Sequence, residues 1–294
     1  MINKVVFFNV YHNGDIHVSR NLVGAISDIC ESKNIPCEYF HGNNPSLLAD
    51  RKNIRHINNN YGLHAHFPSS IVGDILFINT WYCADMSNYQ TYGLTFDCLY
   101  MNFKKPASWL DIDLDTIPGI DLFPNIDFEC FSIGKAREWL ENRHRPRVFI
   151  SNGNALSGQA ENFSFAETIH KLAQEYDYID FLISNTESNY NPMPNTFLTS
   201  DIIQKGGFDL NENAYLAGQC SLILGRCSGA YSFAVNRQNY WDSPKTFLAF
   251  TSLKPHEALW TSRFTPPVLA RVTPFNVSDH RVMDLIRDNL PQRQ

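Results

Sequence analysis

The chain has 294 residues, of which 44% are hydrophobic and 18% charged, with a formal net charge of -6. This composition is typical of a folded globular protein and excludes an intrinsically disordered one. The acidic balance leaves no basic excess to neutralise a phosphate backbone, so we expect no nucleic-acid partner. The length allows one large domain or two of ordinary size.

Neither the amino terminus nor the cysteines indicate export. The apolar run in MINKVVFFNV is followed at once by polar residues, unlike a signal peptide, and no run approaches the ~20 apolar residues of a membrane span. Seven cysteines without a CxxC pair favour reduced, structural thiols. We expect a cytoplasmic location, which leaves peripheral association with the inner face of a membrane open.

Strands and helices alternate through the first half. KVVFFNV, residues 4–10, is typical of a strand buried on both faces. Apolar residues from Ile16 to Cys30 then follow helical spacing, and CEYFHG predicts a second strand. Two further strands are predicted in DILFINTWY, residues 74–82, and in IDLFPNIDF, before an amphipathic helix in SIGKAREWLEN.

A polar, arginine-rich stretch, NRHRPR at residues 142–147, is predicted to link this half to a second α/β series. That series has strands in RVFISNG, IDFLISNT, SLILG, KTFLAFT and VLARV, and helices in NFSFAETIHKLAQEY, NENAYLAGQC and DHRVMDLIRDNL. The repeated order predicts two doubly wound α/β domains, 1–143 and 144–294, facing each other across a cleft. The tail at 275–294 could cross back onto the first domain.

The first candidate site follows the first strand, because open α/β sheets bind ligands beyond the carboxyl ends of their strands. Asn13 and Gly14 predict a tight turn, and Asp15 begins a helix. As an N-cap, Asp15 would satisfy amides of the first helical turn. As a general base, it would accept a proton from a substrate hydroxyl, and the flanking His12 and His17 could do the same.

Two loops of the second half have the composition of a phosphate site. SNGNALSGQAEN, residues 151–162, offers amides and short polar side chains, although a flexible connection would look the same. LILGRCSGAYSF ends a strand at Gly225, after which Arg226 could pair with a diphosphate or with a surface carboxylate. Neither loop contains a Walker motif, and no GxGxxG follows the first strand. Cys227 has no paired histidine in a known signature, which favours an inert thiol.

No metal site is predicted from these residues. DIDLD, residues 111–115, contains an acidic pair that is better explained as a cap of a loop or helix. The aromatic stretch at residues 78–103, which begins INTWYC, could stack on sugar rings through Trp81, Tyr82 or Tyr89, or pack in the core.

Two stretches resemble a known enzyme family. NGDIHVSRNLVGAI looks like the amino-terminal GD segment of the family 9 glycosyltransferases, the heptosyltransferases, and NENAYLAGQCSLILGRCSGAYSFAV is similar to their carboxy-terminal segment. The resemblance implies a GT-B fold of two Rossmann-like domains, in which the second holds a nucleotide-sugar donor and the first holds the acceptor. It also implies metal-independent, inverting transfer without a cofactor.

The resemblance assigns roles by position. Asp15 matches the acid proposed as general base in that family, and we add the neighbouring His17 as a candidate catalytic residue. The predicted donor-binding residues are Ser151, Asn152, Gly153, Asn154, Arg226, Cys227, Ser228, Gly229 and Ser232. The predicted acceptor-binding residues are His12, Asn13, Trp81 and Tyr82. Cys227 replaces an acid of the family and Ser232 stands where a histidine is usual, so the family's donor does not carry over.

Three functions fit these features. The resemblance favours a glycosyltransferase acting on a glycan or lipid-linked acceptor, as in polysaccharide or lipopolysaccharide synthesis. A sugar-nucleotide epimerase or hydrolase of the same fold would turn over a nucleotide-sugar without an acceptor. A non-catalytic glycan- or nucleotide-binding protein would bind without turnover. The sequence specifies neither the base and sugar of the donor nor the oligomeric state.

Overall fold

The computed structural model describes residues 1–93, 96–156, 158–187, 189–252, 263–264, 266–276 and 282–293. The chain divides into two compact units. The first unit comprises Met1–Asn125 with Trp260–Pro267, and the second comprises Ile126–Leu259 with Val268–Gln294.

A five-stranded sheet forms the centre of the first unit. Its strands are β1 (Lys4–Asn9), β2 (Cys37–His41), β3 (Ile54–Ile57), β4 (Ser70–Val72) and β5 (Ile75–Asn79). They lie in the order β3-β2-β1-β5-β4, all parallel except the edge strand β4. Residues 5–9 of β1 are all buried, as expected for a central strand of a parallel sheet.

The helices of the first unit are α1 (Asn13–Ser32), α2 (Met86–Tyr92), α3 (Phe96–Ser108) and α4 (Gly119–Leu122). The strand predicted in IDLFPNIDF is wrong, because this stretch contains α4 and the start of a 3-10 turn at Phe128–Cys130. Pro124 lies between the two and lacks the N–H that an interior strand must donate. The aromatic stretch after β5 forms α2 and α3.

A six-stranded, fully parallel sheet forms the centre of the second unit. Its strands are β6 (Arg147–Ser151), β7 (Asp180–Ile183), β8 (Thr196–Leu198), β9 (Leu222–Arg226), β10 (Thr246–Phe250) and β11 (Arg271–Phe275), in the order β11-β10-β9-β6-β7-β8. This is the doubly wound order of a Rossmann sheet. The chain first runs outward from β6 to β8 and then returns to β9, so the topological switch point lies between β6 and β9.

The helices of the second unit are α5 (Gly134–Glu141), α6 (Ala166–Glu175), α7 (Thr199–Ile203), α8 (Leu210–Gly218), α9 (Gly229–Ala234) and α10 (Val282–Asn289). Ile286 and Leu290 belong to the buried core formed by β6, β7, β9 and α6. The tail therefore packs on the second unit, which differs from the predicted crossing to the first.

The boundary between the units also differs from the prediction at residue 143. Phe128 packs edge-on against Tyr215, with ring centroids 5.5 Å apart, and Trp139 packs against Phe197 at 5.1 Å. These aromatic contacts attach residues 126–143 to the second unit. The arginine-rich stretch joins α5 to β6 inside that unit and does not link the two units. Its Arg143 and Arg145 form ion pairs with Asp180, which accounts for its charge pattern.

All seven cysteines are free, as their number and spacing predicted. Among the described residues, no helix combines the length and apolarity that a membrane crossing requires.

Candidate functional site

The two strands at the switch point of the second unit approach each other closely where they end. Ser151 on β6 pairs in register with Gly225 on β9. A Cβ at position 225 would lie 2.1 Å from the carbonyl oxygen of Ser151, and Gly225 has φ +142°. Glycine is therefore required here, both for the close approach and for the backbone angle. The loops predicted to bind a donor leave the sheet side by side at its carboxyl edge.

Arg226 has a different environment from the one predicted. Its side chain is 2% exposed. Its Nη1 donates to the carbonyl oxygens of Asn152 and Gly153, and its Nε donates to the carbonyl oxygen of Glu161 at 3.1 Å. The guanidinium also lies over two phenylalanine rings, and burial lowers its pKa. Arg226 therefore holds the loop after β6 in place and does not present a free charge. The sequence alone could not reveal this role.

We expect Arg226→Lys to lower the thermal unfolding midpoint of the ligand-free protein and to weaken nucleotide binding as a consequence. A lysine cannot reproduce three donors in a planar fork, so buried carbonyl groups lose partners, at a cost of about 1–3 kcal/mol each. Scanning calorimetry without ligand and a nucleotide titration measure the two effects. An unchanged unfolding midpoint together with weaker nucleotide binding would contradict the loop-holding role. That result would favour the original prediction that Arg226 contacts the diphosphate directly.

Asn152 connects the loop after β6 to the loop after β7. Its Nδ2 donates to the carbonyl oxygen of Asn185 at 2.7 Å and to Oε1 of Glu187 at 2.8 Å, and its Oδ1 accepts from the amide of Asn185 at 2.8 Å. Glu187 also accepts the amide of Phe165 at the start of α6. Asn152 is thus a scaffold residue. Glu187 was missed because only a polar run after IDFLISNT, the second predicted strand of the second half, marked it.

Backbone amides of the two loops remain available. Within the described part of the chain, the N–H groups of Gly153, Asn154 and Gly229 donate to no protein acceptor. Asn154 and Gly229 are exposed, and Ser228 is half-buried with its Oγ donating to the carbonyl oxygen of Gly153 at 3.0 Å. Oriented amides of this kind bind anionic oxygens. Ser151, by contrast, is buried and accepts the amide of Tyr231.

Cys227 and Ser232 contribute less to the candidate donor site than the backbone amides of the two loops do. Cys227 is buried, and burial raises the pKa of its thiol to about 12, so it stays protonated at neutral pH. This agrees with the prediction of an inert thiol and does not support direct donor contact. Ser232 is half-buried on α9.

A matching pair of turns follows β1 and β5 at the centre of the first sheet. Asn9 accepts the amide of Tyr11 at 2.9 Å, and Asn79 accepts the amide of Trp81 at 3.0 Å. The two aromatic rings then meet with centroids 4.2 Å apart and planes 30° apart. Trp81 is half-buried, so one aromatic surface is held in a fixed position, and the ring of Tyr11 lies 6.3 Å from that of His12 at the start of α1. Tyr11 was not predicted as a site residue. The available signal was that both strands end in an asparagine, and that an aromatic residue follows two positions later.

Tyr82 does not join this aromatic pair as a contact surface. It is 6% exposed, and its carbonyl oxygen accepts from Cys98 and Asn102 on α3. The prediction that Tyr82 binds an acceptor is therefore not supported, because β5 directs it into the core. His12 is exposed and Asn13 is half-buried, so both remain accessible.

Asp15 lies in the first turn of α1 and is half-buried. Its Oδ2 accepts the amide of His12, the N-cap residue, at 3.3 Å. Asp15 is therefore not the predicted N-cap but the third residue of α1, which caps the helix by bonding back to His12, because the helix already begins at Asn13. Burial raises the pKa of Asp15 to about 6, and this outweighs the opposing effects of the His12 amide and the His12 charge. Burial, with a smaller contribution from the charge of Asp15, raises the pKa of the Cys83 thiol to about 11.

His17 is fully buried and lies two residues after Asp15 in α1. A side chain without exposed surface cannot contact a substrate in this structure, so His17 is corrected from a candidate catalytic residue to a packing residue of the first unit. The prediction assumed that a neighbour in sequence is also a neighbour in space. On a helix, a residue two positions after Asp15 points to a different side, so His17 does not face the same way as Asp15.

The acidic pair in DIDLD is a cap, as predicted. Asp113 accepts the amide of Asp115, and Asp115 binds Lys104 at 2.6 Å and Tyr100 at 2.5 Å. Among the residues that the structure describes, no three His, Cys, Asp or Glu side chains are arranged to hold a metal ion.

Comparison with solved structures identifies the fold. A glycosyl transferase of family 9 from Veillonella parvula matches with a TM-score of 0.51 at 10% identity, covering 99% of this chain and 90% of that chain. The chain has the GT-B fold. This confirms the predicted fold class and the distant resemblance. No protein-family model and no curated protein matches the sequence.

Two heptosyltransferase structures are also similar. Escherichia coli WaaC with ADP-2-deoxy-2-fluoro heptose has a TM-score of 0.47 at 10% identity, with 97% of this chain and 98% of that chain covered. The dodecameric, iron-containing TibC with ADP-D-beta-D-heptose has a TM-score of 0.47 at 10% identity, with 90% and 61% covered.

Proposed function

We propose that this protein is a glycosyltransferase that moves a sugar from a nucleotide-sugar donor to a glycan or lipid-linked acceptor, without a metal ion and with inversion at the anomeric carbon. The observation that carries the proposal is the GT-B fold combined with unused backbone amides at the switch point of the second unit. Ligands of doubly wound sheets bind at such a point.

In this proposal the second unit holds the donor diphosphate. The amides of Gly153, Asn154 and Gly229 donate to its oxygens, and Arg226 and the hydroxyl of Ser228 keep the first of these loops in position. The charge that develops on the leaving nucleoside diphosphate is stabilised by these fixed dipoles, which need no reorganisation during the reaction.

The first unit supplies the acceptor site and the base. Asp15 removes the proton from the acceptor hydroxyl as the oxygen attacks the anomeric carbon, and the bond from that carbon to the diphosphate oxygen breaks. The electron pair of that bond leaves with the nucleoside diphosphate. A pKa of about 6 suits the task, because the carboxylate is ionised at neutral pH and still basic enough to accept a proton.

An acceptor sugar would lie against the aromatic pair of Tyr11 and Trp81. We expect Trp81→Ala to raise the acceptor KM about tenfold with a smaller change in kcat, because the lost stacking contributes to ground-state binding. Steady-state kinetics with varied acceptor measure this. The control is Trp109→Ala, an aromatic of the same unit outside the candidate site, and an equal effect of both variants would contradict the assignment of Trp81.

The experiment that tests the proposal is a thermal-shift screen against UDP, GDP, ADP and CMP and their sugar conjugates, with and without magnesium. A ligand that binds only the folded state raises the unfolding midpoint. We expect a selective shift with one nucleoside diphosphate and its sugar conjugates, without a magnesium requirement. Absence of any shift would contradict donor binding. Consumption of the conjugate without an acceptor would favour a hydrolase or epimerase, and binding without any turnover would favour a non-catalytic binding protein.

A further inference from the structure

A cavity lies at the edge of the second unit's sheet opposite to the candidate donor loops. It has a volume of about 850 Å³, and the residues that matter for its chemistry are Arg145, Arg147, Tyr178, Ser221, Pro291 and Arg293. These residues stand at or before the amino ends of β6, β7 and β9, or in the carboxy-terminal segment. Four residue steps of a strand span about 13 Å, so this amino-edge pocket is separate from the loops that follow β6 and β9.

The amino-edge pocket is basic in an acidic protein. Among the residues that the structure describes, three arginines and a histidine line it, and no Asp or Glu does. The carboxylate of Asp180 faces this arginine-rich stretch; it is fully buried and lies 3.6 Å from Arg143 and 3.7 Å from Arg145. One buried carboxylate against several guanidinium groups leaves a local excess of positive charge, although the whole chain carries -6.

Helix capping explains only part of this charge. Arg147 donates through Nη2 to the carbonyl oxygens of Leu140 and Arg143 at the end of α5, which is the usual position for a cation. Nη1 of Arg145 donates to the carbonyl oxygen of Asp177 at 3.0 Å, and the side chain of Arg145 is 53% exposed. Arg293 is exposed and lies over the ring of Tyr178 at 5.5 Å. Within the described residues, Arg293 has no carboxylate partner.

The walls of the pocket have a form that suits an organic anion. The hydroxyl of Tyr178 donates to the carbonyl oxygen of Pro291 at 3.1 Å, which fixes an apolar face beside Arg293. Guanidinium groups bind phosphate oxygens through paired N–H donors, and a cavity of this volume falls within the range of small-ligand sites.

We propose that the amino-edge pocket binds a phosphate-bearing anion through Arg145 and Arg293. The site differs from the donor site in its location, its residues and its chemistry, since it uses side-chain charges where the other uses backbone amides. The proposal therefore does not depend on the glycosyltransferase function. The anion is either a free phosphorylated molecule or a phospholipid headgroup, which present the same group to the two arginines.

The test is calorimetric titration of the intact protein with inorganic pyrophosphate. Arg145→Gln combined with Arg293→Gln is expected to remove one binding site or to weaken it at least about tenfold, because charge-assisted hydrogen bonds are lost. The matched control combines Arg137→Gln with Arg271→Gln, which removes two charges of the same unit outside the pocket, and it should behave as wild type. Both altered arginines of the pocket are exposed, so circular dichroism should report an intact fold.

The count of sites separates this proposal from the proposed function. Pyrophosphate bound by the donor loops persists in the pocket variant. Two sites in wild type and one in the pocket variant therefore support both proposals. One site in wild type and none in the pocket variant supports the pocket alone. Sedimentation with phosphatidylglycerol vesicles, against phosphatidylcholine vesicles, distinguishes the headgroup from the free anion. Loss of vesicle binding in the pocket variant supports the headgroup source. Pyrophosphate and vesicle binding that are the same in the pocket variant and in wild type would overturn the proposal.

Discussion

Asp15→Asn is expected to lower sugar transfer by about 10²-fold or more and to leave donor affinity near that of wild type. The amide keeps the size of the side chain and can still accept the His12 amide, so the start of α1 is preserved. It cannot accept the acceptor proton. Single-turnover transfer and a separate donor titration measure the two quantities.

The pH dependence gives the same prediction a second readout. Because the base must be ionised, wild-type kcat/KM should fall below an apparent pKa of about 6, and the residual activity of Asp15→Asn should lack this step. Asp113→Asn is the matched control, since it alters another capping aspartate of the first unit. A normal rate for Asp15→Asn, or an equal loss in Asp113→Asn, would contradict the assignment of the base.

The same substitution should stabilise the protein at neutral pH. The folded pKa of Asp15 lies above its ordinary value of 3.8, so the folded state binds its proton more readily than the unfolded state does. This contribution to stability is complete below pH 4 and is lost as the pH rises through about 6. We therefore expect Asp15→Asn to exceed wild type in free energy of unfolding by about 1–2 kcal/mol at pH 8 and to match it near pH 3.5.

Gly225→Ala is expected to destabilise the second unit by about 3 kcal/mol or more, or to prevent its folding. The new methyl group would meet the backbone of Ser151 at 2.1 Å, and backbone atoms of a central strand cannot move aside cheaply. The φ of +142° adds strain for any residue with a Cβ. Urea denaturation followed by circular dichroism measures the loss.

Gly206→Ala is the control for this effect. Gly206 belongs to the same unit, its added Cβ would meet nothing within 4 Å, and its φ is not in the left-handed region. Its free energy of unfolding should stay within about 1 kcal/mol of wild type. If Gly225→Ala unfolds at the same urea concentration as Gly206→Ala, the close approach of β6 and β9 is not what positions the candidate donor loops.

The sequence predicted the parts of the fold that rest on local patterns. β1, β6 and β9 are short apolar runs buried on both faces, and α1 has helical spacing with a capping residue, so each was recognisable without tertiary information. The strands β3, β4 and β8 were missed. They have three or four residues and partly exposed faces, so their hydrophobic pattern is weak.

The site was harder to predict because its contacts join residues far apart in the chain. The helix starts near Asp15 and Gly229 could be located from composition, since glycine and short polar residues follow apolar runs. The partners of Arg226 lie 65 to 74 residues earlier, and no local pattern distinguishes a buried arginine that binds carbonyl groups from one that awaits an anion. His17 was misjudged for a related reason, because burial depends on what packs against α1.

The most direct test of the account is a crystal structure of the protein with the nucleoside diphosphate that the thermal-shift screen selects. We predict the diphosphate oxygens within hydrogen-bond distance of the amides of Gly153, Asn154 and Gly229, at the carboxyl edge between β6 and β9. A diphosphate bound only at the opposite edge, beside Arg145 and Arg293, would contradict the proposed donor site.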